Sequence, residues 1–474
     1  MIKRALAFTL SAILVLTAFS GAILLSHAQE ERLIGDIDLD GSITVSDALA
    51  ALRAAAKISK YSAADIPVYD VSGDGEVDVA DALGMLRCAV RLVDDYGYDG
   101  VELSFAPNAA ANAYGYTQQS IDKSIVSVGN TAKLAKVMRK AEKGERVTVV
   151  TLGGSITAGS VTQDSRNCYS YRTYQWWVNN YPNSKINYYN MGIGATGSVL
   201  GVHRLEDDVL KRNPDFLIVE YAVNDTPDVY EYYENIIRRV WLNNPDTAII
   251  MLFMQNETGW NVQDSEIPIG RHYQLPMISY RDATNPRLVS GEIKWKDISP
   301  DDIHPNDEGH GMVASLITSY LDGVKAKASR LSKVVPQMPE ALYGERYMNA
   351  KLYMGGKLEP DSIGAWAVDR TYNFYHLNGA WEITKRGNNK PLTFTATFKE
   401  LTLAILMRAT SSNLGDVKLT IDGGDPIKLS NNAVGSWGDH LEFKTVFKED
   451  VEKEHTLSFS YIGGKFTLCG LMLS

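Results

Sequence analysis

Val147-Thr-Val-Val-Thr-Leu-Gly-Gly-Ser-Ile-Thr-Ala-Gly159 is the stretch on which the reading of this chain turns. From Val147 to Leu152 every residue is β-branched or aliphatic, the composition of a strand buried on both faces. Gly153 and Gly154 follow, then Ser155 and Thr157. A nucleophilic serine needs this setting: a tight turn leaving a buried strand, with small neighbours that let a substrate approach. The spacing Gly153-x-Ser155-x-Thr157 is not the G-x-S-x-G elbow, and a plain Gly-Ser loop explains these residues equally well. The choice falls to the rest of the chain.

Around this strand the pattern alternates. Helices are predicted over 131–142, 171–181, 198–211, 229–243 and 309–328, and strands over 146–152, 185–190, 215–221 and 247–254. Such alternation specifies an α/β domain, a parallel sheet covered on both faces, over residues 121–335. The carboxyl ends of parallel strands share one edge, where ligands bind. Ser155, the turn Gly192–Gly197 and Asn224 all follow strands, so they converge there. Gly192-Ile-Gly194-Ala-Thr-Gly197, with Glu220 at the end of the next strand, also matches a dinucleotide-binding fingerprint. That reading leaves Tyr221-Ala-Val-Asn224-Asp225 unexplained. As an oxyanion hole the same turn offers backbone N–H groups and Asn224 a side-chain donor.

The missing base is supplied by Asp301-Asp302-Ile-His304-Pro-Asn306. A serine requires an imidazole to take its proton and a carboxylate to hold that imidazole in the right tautomer. Asp301 and His304 on one segment provide both; Asp302, one residue off register, is the weaker partner. Of the eight histidines, His27 lies in an N-terminal leader, His203 and His310 fall on predicted helices, and His376, His440 and His455 are C-terminal. His272, in a polar loop, is the competitor.

These four blocks, in this order, resemble the SGNH (GDSL-like) hydrolase family. The resemblance implies a three-layer sheet and ester hydrolysis through an acyl-enzyme, with no catalytic cofactor. It makes Ser155 the nucleophile and an oxyanion donor, His304 the base and Asp301 its orienting acid. Asn224 and a backbone N–H of the glycine turn, Ala195 with Gly194 as neighbour, complete the oxyanion hole. Gly154 stands where many members have Asp, and Ala195 and Ala222 where glycine is common.

The N-terminal part is different. Lys3 and Arg4 precede a mostly apolar run, and Ser26-His-Ala28 supplies small residues for cleavage, so residues 1–28 are expected to be a secretory signal peptide. Gly35-Asp-Ile-Asp-Leu-Asp-Gly-Ser-Ile-Thr-Val-Ser-Asp-Ala-Leu49 then recurs as Tyr69-Asp-Val-Ser-Gly-Asp-Gly-Glu-Val-Asp-Val-Ala-Asp-Ala-Leu83. Oxygen ligands at fixed positions with glycine at the sixth make a calcium loop. The ligands are Asp36, Asp38, Asp40, Thr44 and Asp47, then Asp70, Ser72, Asp74, Asp78 and Asp81; Ser42 and Glu76 add backbone carbonyls. A short helix follows each loop, with Leu49 and Leu83, Leu52 and Leu86, Ile58 and Leu92 expected on matching apolar faces.

Two such loops in residues 30–95 resemble a type I-like dockerin of cellulosomal enzymes. The resemblance implies two structural calcium ions and a cohesin domain on a scaffolding protein as partner. Val45-Ser46 and Val79-Ala80 occupy the partner-recognition positions. Residues 96–120 read as linker.

Residues 340–474 carry short strand-like runs at sandwich spacing, so a β-sandwich or jelly roll is expected. Trp366, Trp381 and Trp437, with Tyr372 and Tyr375, offer a sugar-stacking face, though core packing explains aromatics just as well. The chain holds 474 residues, 45% hydrophobic and 22% charged, with net charge -10. That balance gives no reason to expect nucleic acid or an anionic membrane. Three scattered cysteines suggest no disulfide framework.

The two resemblances together imply a secreted, cellulosome-associated esterase. Its expected substrate is an acylated plant polysaccharide, acetyl on xylan being the commonest case. A lipid esterase or a non-catalytic polysaccharide-binding subunit are the alternatives.

Overall fold

A computed structural model of the chain describes residues 35–38, 43–62, 65–71, 77–89, 103–329, 331, 338–384 and 390–474. The expected signal peptide, Asp40, Gly41 and Ser42 of the first calcium loop, and Ser72, Asp74, Gly75 and Glu76 of the second lie outside the described residues.

Among the described residues, six strands form the first sheet: β1 (Ile125–Ser127), β2 (Val147–Gly153), β3 (Ile186–Gly192), β4 (Phe216–Glu220), β5 (Ala248–Phe253) and β6 (Met277–Ser279). Their spatial order is β1-β6-β5-β4-β2-β3. All neighbours run parallel except β1, which pairs antiparallel with β6 at the edge. Every residue of β2 is buried, because period-2 alternation sends its side chains into two separate cores. Val147 and Val149 join one core with the helices Ala132–Glu142, Tyr169–Asn180 and Asp307–Lys327. Val150 and Leu152 join the other, with Ser198–His203, Tyr230–Asn243 and Gln263–His272. The three-layer arrangement follows directly.

The sequence reading departs from the structure in several places. Leu103, Phe105, Tyr116 and Ile121 sit in the first core, so the chain from Leu103 onward is part of the hydrolase and not a linker. The single helix expected over 198–211 is three pieces, Ser198–His203, Leu205–Asp208 and a 3-10 turn at Leu210–Arg212, ended by left-handed Asn213. His272 ends a helix and does not lie in a loop; its Nε2 faces the Glu340 carbonyl at 2.8 Å.

The C-terminal strands are β7 (Lys351–Met354), β8 (Ala367–Phe374), β9 (Leu377–Ile383), β10 (Leu392–Met407), β11 (Gly415–Ile421), β12 (Ile427–Ser430), β13 (His440–Gly464) and β14 (Phe466–Leu473). They form an antiparallel sheet in the order β12-β11-β13-β10-β14-β9-β8, with β7 on β14. The long strands β10 and β13 run beside each other through two register shifts, and such bulges bend a sheet sharply. One core is internal to this domain, around Trp381, Phe394, Phe459 and Leu468. A second joins Leu377, Ala404, Leu406 and Met472 to Ile193 and Leu200 of the hydrolase. The β-domain therefore packs on the turn that follows β3.

In the N-terminal repeat, the apolar cluster of buried residues is Ala48, Ala51, Val71, Ala82 and Met85. This corrects the expected helix faces: Leu83, Leu86 and Ile58 are exposed, and small alanines let the helices Val45–Ala55 and Val79–Ala89 approach instead. Cys168 and Cys469 are free and buried. Among the described residues no helix is long and apolar enough to cross a membrane.

Candidate active site

Strand register brings the site together. Gly153 is paired with Gly192 on one side and Glu220 on the other, so the chain leaves three adjacent strands at one level. Ser155 then opens the short helix Ser155–Ala158, which ends at left-handed Gly159. Asn190 fastens that helix to β3. Its Nδ2 donates to the Thr157 carbonyl at 2.7 Å and to Ser170 Oγ at 2.9 Å, and its Oδ1 accepts the Gly192 amide.

Ser155 Oγ lies 2.9 Å from His304 Nε2, and His304 Nδ1 lies 2.8 Å from Asp301 Oδ2. Asp301 Oδ1 also accepts the amides of Ile303 and His304, at 2.9 and 2.7 Å. Partial burial pushes the Asp301 pKa up, but these two amides and the imidazole outweigh it and hold the group below its ordinary value. The ionised acid fixes the Nδ1–H tautomer and leaves Nε2 facing the hydroxyl. Ser299 Oγ reaches the Asp301 and His304 carbonyls, and Asn306 caps the helix that follows through the Gly309 amide. The loop is thus tied at both ends. Asp302 takes no part in this chain; its carbonyl accepts the Glu257 amide.

The expected oxyanion donors gather at the same edge. Ala195 has a left-handed backbone, φ 58°, which explains why glycine suits this position and shows that alanine tolerates it here. Asn224 Oδ1 is buried without a hydrogen-bond partner among the described residues. It packs against Gly154, where a Cβ would come within 2.2 Å of it. An Asp at 154 would collide, so the departure noted at Gly154 and the placement of Asn224 are one adaptation.

Of the five aromatics considered for sugar stacking, Trp366 and Trp381 belong to the internal core of the β-domain, and the partly buried Tyr372 packs against the core shared with the hydrolase. Trp437 is exposed and stacks on His440. Tyr375 is 47% exposed and adopts φ 57° at the tip between β8 and β9. Its Oη lies 2.2 Å from where a Cβ on Gly194 would be, so the β-domain sets an aromatic side chain on the turn that follows β3. Its neighbour His376 holds Asp208 at 2.9 Å. No local signal announces this contact, which is purely tertiary.

Glu220, singled out by the dinucleotide reading, is completely buried and accepts from Thr157 Oγ1 at 2.9 Å. A ribose cannot reach it.

In the first calcium loop, carboxylate oxygens of Asp36, Asp38 and Asp47 lie within 4.8 Å of one another, with Asp36 and Asp47 buried. Asp47 also accepts from the amides of Ile37, Asp38 and Thr44, while Thr44 and Asp47 form a capping box on the next helix. Three converging acids, two of them buried, fit a hard divalent cation. In the second loop Asp81 takes the Asp78 amide in the same way.

Residues 151–312 match the GDSL-like lipase/acylhydrolase family and residues 34–87 the type I dockerin domain. No curated protein matches the chain. A crystal structure of a two-domain esterase (CEX) active on acetylated mannans is similar at 30% identity and TM-score 0.70, over 75% of this chain and 98% of that one. A second, co-crystallised with mannopentaose, gives 29% and 0.68 over 75% and 97%. The chain therefore belongs to the GDSL-like (SGNH) hydrolase family, and is an esterase that carries a type I dockerin domain, a module that generally binds calcium and implies a cohesin partner.

Proposed function

We propose that this chain is a secreted, cellulosome-borne carbohydrate esterase that removes acetyl groups from plant cell-wall polysaccharide. The observation that carries the reading is the unbroken chain from Ser155 Oγ through His304 to Asp301 at the sheet edge. Ser155 Oγ attacks the acetyl carbonyl while its proton passes to His304 Nε2. The resulting oxyanion takes hydrogen bonds from the Ser155 amide, a backbone N–H of Gly194 or Ala195, and Asn224 Nδ2, each worth roughly 3–4 kcal/mol of barrier. His304 then protonates the departing sugar hydroxyl, leaving acetyl-Ser155. Water, deprotonated by the same imidazole, releases acetate.

Two features favour a polysaccharide over a lipid. Tyr375 places an aromatic ring beside the oxyanion turn, where a sugar bearing the ester would rest. The similar esterases match across both the hydrolase and its β-domain, which makes acetylated mannan the first substrate to try and acetylated xylan the second. In the dockerin, Asp36, Asp38, Asp40, Thr44 and Asp47 would hold one calcium and Asp70, Ser72, Asp74, Asp78 and Asp81 another, with Ser42 and Glu76 adding carbonyls. The ions neutralise clustered acids and so allow the helices to pack. Val45, Val79, Leu83 and Leu86 are then an exposed apolar surface suited to a cohesin.

One paired experiment tests both halves. Ser155→Ala is expected to abolish acetate release from acetylated mannan and xylan while keeping calcium-dependent cohesin capture. Chelator should do the reverse. Turnover surviving in Ser155→Ala, or capture surviving chelation, would remove the corresponding half.

A further inference from the structure

Glu220 ends β4 in register with Gly153, yet its side chain turns inward and is completely buried. Its Oε2 accepts the Thr157 hydroxyl at 2.9 Å, and Thr157 Oγ1 lies 2.7 Å from Tyr169 Oη. The single Thr157 proton goes to Glu220, so Tyr169 donates to Thr157. The nearby amides of Gly154 and Thr157 add a smaller favourable field at the Glu220 carboxyl. Thr157 follows Ser155 by two residues, so the Glu220 carboxyl holds the nucleophile turn from its buried side through the Thr157 hydroxyl.

The surroundings decide its charge. Oε1 is buried with no partner among the described residues. Asp225 lies near enough to repel Glu220, and Glu220 and Asp225 in turn both repel the buried Glu266. The phenol of Tyr233 and the thiol of Cys168 also face this group. Arg204, close to the turn, is committed to Asp208, the Gly153 carbonyl and Tyr221 Oη. Burial first of all pushes the Glu220 pKa up, to about 8, against the lowering effect of the Thr157 and Gly154 donors.

We propose that Glu220 is a positioning residue that works as the neutral acid: it clamps the nucleophile turn from the buried side, and its ionisation ends activity at alkaline pH. The inference rests on the reading of Ser155 as nucleophile. As a neutral group, Glu220 accepts the Thr157 hydroxyl without adding charge beside the developing oxyanion. Once ionised it puts a buried negative charge behind that oxyanion and raises the barrier.

The test is the pH profile of kcat and KM on a small acetyl ester for wild type, Glu220→Gln, Thr157→Val and the double variant, with Ser155→Ala beside them. Circular dichroism establishes that each is folded. Wild-type kcat should fall as pH rises through about 8. Glu220→Gln keeps an acceptor but buries an amide, so kcat at neutral pH should drop about three- to tenfold with little change in KM, and the alkaline fall should disappear. Thr157→Val should lower kcat similarly, and the double variant should lose less than the product of the two. An alkaline limb unchanged in Glu220→Gln, or fully multiplicative losses, overturns the proposal while leaving Ser155 in place. Turnover by Ser155→Ala would instead overturn the reading it rests on.

Discussion

On the solvent side of Ser155, Asp301 is partly exposed and receives two amides and an imidazole nitrogen. On its buried side, Glu220, Asp225 and Glu266 are all at least 97% buried, and Glu266 has no hydrogen-bond partner on either oxygen among the described residues. The chemical group is the same, and its pKa is shifted in opposite directions on the two sides. Asp301 is held below its ordinary pKa because donors outnumber what burial costs it. The other three are pushed above theirs, burial being the first cause for each. The favoured form is therefore the anion for Asp301, while burial shifts Glu220, Asp225 and Glu266 toward the neutral acid.

The largest effect should come from the open side. Asp301→Asn keeps the shape of the loop but removes the charge that fixes the His304 tautomer, so kcat should fall about 10³- to 10⁴-fold. A loss under tenfold would mean that Asp302 substitutes, and the contrast between the two sides would weaken.

A smaller effect, and one of stability, should come from the buried side. A carboxyl group whose pKa is raised by folding binds its proton more tightly in the native state. Its contribution is complete below the unfolded-state pKa and is lost as pH rises through the folded one. The protein should therefore melt progressively lower as pH climbs through about 8. Glu266→Gln removes one titrating group and should flatten that pH slope, raising the melting temperature relative to wild type at the alkaline end. A melting curve with the same pH slope in wild type and variant would show that Glu266 does not titrate there.

The open side is the half that sequence makes legible. Ser155 and Asn224 each follow a strand whose periodicity is plain, Asp301 and His304 come just before the long helix Asp307–Lys327, and parallel topology sends strand ends to one edge. The antiparallel edge strand β1 is too short, at three residues, to show a pattern. The helices Gln263–His272 and Tyr280–Val289 contain Pro268 and Pro286, which argue locally against a helix. Packing overrode them. The buried side carries one visible signal: in Phe216-Leu-Ile-Val-Glu220 an acid ends an apolar run with no turn residue between. A buried acid needs donors, but which donors is a question of tertiary structure. The exposed dockerin leucines mislead for the same reason, since a helix shows periodicity whether its apolar face meets its own domain or another protein.

The smallest effect tests whether the open side extends into the β-domain. A tyrosine at φ 57° is strained by roughly 1–2 kcal/mol, and such strain persists only where surroundings enforce it. Here His376 is tied to Asp208, Phe374 meets the Tyr375 ring edge-on at 5.1 Å, and Leu377 is in the interdomain core. These contacts hold a half-exposed ring on Gly194, in the turn that follows β3. If the ring carries the sugar, Tyr375→Ala should raise KM for acetylated polysaccharide about three- to tenfold, on the order of 1 kcal/mol. KM for an aryl acetate, which has no sugar, should hardly change, and Tyr375→Phe should keep most of the polymer affinity. Equal changes on both substrates would mean that Tyr375 shapes the oxyanion turn itself. The β-domain would then support the catalytic turn without contacting substrate there.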